Sequence, residues 1–75
     1  MIRSEVFKEI DDIDHLTIRL RRGEYFDRDT ALKMIKRCRA YYEIAPQTQI
    51  SAESSDRELH DELVYIRTVL FETIK

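Results

Sequence analysis

Seventy-five residues with a net charge of −2, 43% apolar and 37% charged, leave room for one domain spanning 1–75 and no second. A single Gly excludes the phosphate-cradling loops of P-loop and dinucleotide-binding enzymes, and a single Cys excludes an internal disulfide or a multi-Cys zinc site. The uncharged stretch Ala45–Ala52 is largely polar and spans no membrane, and Arg3, Glu5, Lys8 and Glu9 leave no apolar core for a signal peptide, so a cytoplasmic setting is expected.

The first predicted element is a helix over 4–22. Ser4 is its expected N-cap, with Glu5 and Glu9 in the opening turns where the helix dipole favours negative charge. Val6, Ile10, Ile13, Thr17 and Leu20 recur every three or four positions and draw one stripe, with Leu16 beside it. Arg19, Arg21 and Arg22 crowd the last turn, and Gly23 suits the residue after it.

A short turn leads to a second helix over 28–44. Asp27 is its N-cap, preceded by Phe26, which can fold back against Ala31. Ala31, Ile35, Cys38, Tyr42 and Ala45 form the inner stripe, flanked by Met34 and Tyr41, while Leu32 and Ile44 miss it. Pro46 biases Ala45 away from helical angles and places the helix end near Ile44.

Residues 46–54 read as the main loop. Ser55 and Glu58 then match a capping box, opening a third helix over 55–74 whose inner stripe is Leu59, Leu63, Ile66 and Leu70. No segment alternates as a strand does. The expected fold is therefore all-α: a small three-helix protein, an antiparallel helical hairpin plus a C-terminal helix, assembled as a dimeric bundle.

The dimer is expected from two observations. A chain this short buries only about 60–65% of the surface its unfolded form exposes, which favours association. Phe7 and Ile18 on the first helix, and Val64 and Phe71 on the third, lie off the inner stripes on faces of their own. These four are the candidate dimer interface.

Candidate chemistry is sparse. Asp12 and His15 have a metal-ligand offset, in an acidic run with Glu9, Asp11 and Asp14, yet they point away from the apolar stripe and lack the second pair that a carboxylate-bridged site needs. His60 lies between Asp56 and Asp61 without a nucleophile nearby, and Cys38 sits on an apolar stripe. Tyr41 and Tyr42 straddle the inner stripe of the second helix and read as core or interface residues. No catalytic, cofactor-binding or metal-binding residue is assigned, and neither a small-molecule substrate nor a membrane partner is expected.

Charge is unevenly spread. Residues 1–18 carry two basic and five acidic groups, 19–42 eight basic and three acidic, and 43–75 three basic and seven acidic. Arg28, Lys33, Lys36 and Arg37 in the positive middle are the candidate partner-binding residues. The expected function is a non-enzymatic protein–protein interaction module, such as an adaptor, chaperone, inhibitor or regulator, that self-associates as a homodimer and binds another macromolecule. The alternative is a nucleic-acid-binding regulator using the same basic face to neutralise phosphates.

Overall fold

A computed structural model describes residues 3–74. Three helices follow one another: α1 (Arg3–Arg22), α2 (Arg28–Tyr41) and α3 (Asp56–Thr73). Among the described residues there is no strand. The periodic stripes become the core. Val6, Ile10, Ile13 and Thr17 of α1, Ala31, Met34, Ile35 and Cys38 of α2, and Leu59, Leu63, Ile66 and Leu70 of α3 are all buried. Thr17 keeps its hydroxyl satisfied there by donating to the Asp14 carbonyl at 3.2 Å.

The helix ends follow local chemistry. Gly23, at φ +68°, donates its N–H to Leu20, and Glu24 donates to Arg19 at 2.9 Å, so a left-handed residue closes α1 on its own last carbonyls. Asp27 caps α2 by accepting from the Asp29 N–H and the Thr30 hydroxyl, each at 3.0 Å. At the start of α3 the Ser55 hydroxyl accepts from the Glu58 N–H at 3.1 Å, while the Glu58 carboxylate accepts from the Ser55 N–H at 2.8 Å.

Three expectations need correction. Ser4 does not cap α1, because Arg3 is already helical and the cap falls outside the described residues. The end of α2 is Tyr41 rather than Ile44: Glu43 enters the left-handed region at φ 55°, and the Ile44 N–H turns back onto the Arg39 carbonyl at 3.0 Å. That reversal, upstream of Pro46, swings Ile44 into the core and leaves Ala45 exposed, opposite to their expected places on a continued helix.

Both α2 and α3 run antiparallel to α1. Arg3 and Val6 meet Thr73 and Ile74 at one end, Asp14 pairs with Arg67 midway, and Leu20 and Arg21 lie beside Asp56 and His60 at the other. The third helix thus folds back on its own chain. Its packing on α1 is the most extensive in the molecule, with α2 seated on it second. The Cα radius of gyration, 11.7 Å, is close to the value of about 11 Å for a compact chain of this length. No helix among the described residues is long and apolar enough to cross a membrane.

The 42–55 connection is tied down by buried ionic chemistry that the stripes do not reveal. Glu62 is fully buried on α3 and accepts from Arg39 of α2 at 2.8 Å and, at 3.4 Å, from the Gln47 N–H. Arg39 also donates to the Thr48 carbonyl at 2.8 Å. Arg28 reaches the carbonyls of Ala52 and Ser54 and the Asp56 carboxylate, fastening the far end of the loop.

Candidate interaction surfaces

The four off-stripe residues are exposed: Phe7 at 50%, Phe71 at 44%, Ile18 at 40% and Val64 at 37%. The helices place them on one side of the molecule. At 100° per residue, Phe7, Asp14 and Ile18 fall within about 40° of one another on α1, and Val64, Arg67 and Phe71 within about 60° on α3. The antiparallel register sets Asp14 against Arg67, whose Nε donates to Oδ1 at 2.6 Å. The Arg67 guanidinium also lies 5.7 Å from the centre of the Phe71 ring. The result is a strip over the α1–α3 seam. Along the antiparallel helices Phe7 and Phe71 lie toward one end and Ile18 and Val64 toward the other, with one acid and one guanidinium between them.

The opposite flank of α1 faces α2 and carries a second arrangement. Glu9 receives a two-pronged bond from Arg37 Nη2, at 2.7 and 2.8 Å, and a third from the Cys38 thiol at 3.0 Å. Burial pushes the Glu9 carboxyl upward, but the bonds from Cys38 and Arg37 and the charges of Arg37 and Lys8 outweigh it, leaving the pKa below the ordinary 4.5. The same bond to Glu9 raises the Arg37 pKa further. Burial, and then the neighbouring Glu9, push the Cys38 thiol to about 12, so it is a hydrogen-bond donor and an inert core group rather than a nucleophile. Beside them Tyr41 and Tyr42 meet edge to face with centres 4.8 Å apart, and the Tyr41 hydroxyl donates to Glu5 at 3.3 Å. Glu5, Lys8, Glu9, Arg37, Tyr41 and Tyr42 line an open cavity of about 250 Å³.

Comparison of the chain with protein-family models, with curated proteins and with solved structures finds no match.

The basic residues singled out in the sequence divide. Arg28 is engaged by the loop and Asp56, Arg37 by Glu9, and Lys33 by Asp29 at 3.1 Å on the surface of α2. Lys36 makes no ion pair among the described residues. Arg28 and Arg37 thus hold the bundle together as well as carrying charge, a role that no local pattern around them signals. Asp11, Asp12 and His15 bring ligand atoms within 4.8 Å of one another, all from one turn on the outer side of α1. Asp11 and His15 are largely solvated there, with His15 Nδ1 3.8 Å from Asp11. His60 leans on Asp61 at 3.1 Å, beside a cavity shared with Leu20, Arg21, Asp56 and Arg57.

Proposed function

We propose that this protein is a non-enzymatic helical interaction module that pairs with a second copy of itself through the α1–α3 strip and binds another macromolecule as that assembly. The observation that carries the reading is the convergence of Phe7, Ile18, Val64 and Phe71 on one face, around a central Asp14–Arg67 pair.

A two-fold axis through the middle of the strip matches it to itself. Apolar ends meet apolar ends, and each copy brings one carboxylate and one guanidinium to the centre, so the pairing adds no net charge. The strip is small. At 1.5 Å per residue it runs about 16 Å from Phe7 to Ile18 along α1 and about 10 Å from Val64 to Phe71 along α3, across two helices about 20 Å wide. That footprint lies below the roughly 800 Å² per partner of a standard interface, in the range of weak, transient contacts. Fully burying a large apolar side chain contributes about 1.5–3 kcal/mol, and these are already about half covered, so each adds about 1 kcal/mol. Eight of them in a symmetric pair work against an association cost of about 4–15 kcal/mol, which makes the dimer weak and concentration-dependent.

Sedimentation equilibrium from about 10 to 500 µM protein, a span chosen around micromolar affinities, tests this. The expected mass rises from one chain toward two, and Val64→Asp/Phe71→Asp holds it at one. A wild-type mass that stays at one chain throughout, or a double variant that still pairs, overturns the strip as the dimer face.

A further inference from the structure

The cavity between the start of α1 and the end of α2 lies on the other side of the molecule from the dimer strip. Glu5 and Glu9 are each two residues from Phe7, which is about 160° around the helix. A symmetric pair formed through Phe7 and Phe71 therefore leaves this cavity open on both copies. From its chemistry we propose that it is a docking site for an arginine side chain of a protein partner. This proposal goes beyond self-association and rests only on the reading of the chain as an interaction module.

Two features of the cavity select a guanidinium. The first is an aromatic wall: Tyr41 is 62% exposed, and it is held in place by its edge-to-face contact with Tyr42 and by its hydroxyl's bond to Glu5. An exposed tyrosine face attracts a planar cation, and arginine stacks on it better than lysine does. The second is charge. Glu9 is matched by Arg37 in a two-pronged bond, but among the described residues Glu5 on the rim accepts only from a phenol at 3.3 Å. Its carboxylate keeps the capacity for a forked bond, in which two guanidinium N–H groups meet its two oxygens. Burial first, and then Glu9, Cys38, Tyr41 and Glu5, push the Tyr42 phenol upward. Lys8 is the competing cation on the rim.

The test uses the full chain and a defined probe, Nα-acetyl-arginine amide, followed by backbone NMR. Nα-acetyl-citrulline amide serves as the uncharged isostere and Nα-acetyl-lysine amide as the non-planar cation. The expected result is saturable shifts at Glu5, Tyr41 and Tyr42 with the arginine probe, at least threefold weaker binding of the lysine probe, and no saturation with citrulline. Glu5→Gln, an exposed change that leaves the core intact, should weaken arginine binding at least fivefold, and Lys8→Gln should tighten it about twofold. The monomeric Val64→Asp/Phe71→Asp variant should bind as wild type does, which separates this site from the dimer strip. Equal response to arginine and citrulline, shifts centred elsewhere, or full binding by Glu5→Gln overturns the proposal.

Discussion

At the scale of single residues, the two left-handed positions make opposite demands on the sequence. Gly23 adopts φ +68° with nothing within 4 Å of where a Cβ would stand, so Gly23→Ala meets only backbone strain and should cost about 1 kcal/mol. Glu43 adopts φ 55° with a side chain that pays that strain already, so Glu43→Gly should stabilise by about 0.5–1 kcal/mol. Urea midpoints for the two variants should move in opposite directions. Glu9 and Cys38 form a second contrast, in pH. The folded Glu9 carboxyl titrates below 4.5, so its contribution is present above that value and is lost as pH falls further through the folded pKa. The Cys38 thiol holds its proton to about 12 against 9.0 when unfolded, so its contribution is complete below about pH 9 and declines between 9 and 12. Urea unfolding across pH should show Glu9→Gln flattening the acid limb and Cys38→Ala flattening the alkaline limb. A variant whose limbs both match wild type removes that residue from the account.

At the scale of helices, the sequence displays what is local and hides what is not. The inner stripes of α1 and α3, the Asp27 cap and the Ser55–Glu58 box were legible because each depends on residues three or four apart. The end of α2 was not, since Glu43 takes an angle that its type seldom adopts and the reversal draws on the core's need for Ile44. Glu62 was hidden for another reason. A carboxylate beside a leucine stripe reads as solvated, and its partner Arg39 is 23 residues away on a different helix. For the same reason the basic residues of α2 read as a free surface, whereas Arg37 meets Glu9 28 positions back and Arg28 meets Asp56 28 positions ahead. The Arg39–Glu62 pair makes a sharp prediction. Arg39→Met leaves a charge with 0% side-chain exposure facing only a distant amide, and should cost about 3–5 kcal/mol. Arg39→Met/Glu62→Met removes both charges and should recover most of that loss. Additive losses in a double-mutant cycle would mean the two residues act separately rather than as one clamp on the loop.

At the scale of the whole molecule, the placement of the off-stripe residues matters more than their number. Phe7 and Ile18 were visible as a pair on α1, and Val64 and Phe71 as a pair on α3, but only the antiparallel register through Asp14 and Arg67 puts both pairs on one face. A surface of this kind has a thermodynamic signature apart from mass. If the native state pairs and the unfolded chain does not, mass action stabilises the fold more as protein concentration rises. A bundle of this length has little stability to spare, so the shift should be plain. The melting temperature should climb by several degrees between about 10 and 500 µM, since about 1 kcal/mol moves a domain of this size by about 4–8 °C. For Val64→Asp/Phe71→Asp it should be flat. Added salt should leave the climb largely intact, because the ends of the strip are apolar and Asp14 and Arg67 are already paired within each chain. A climb abolished by salt would place the contact on charges instead, and would shift attention from the α1–α3 strip to the acidic and basic segments along the chain.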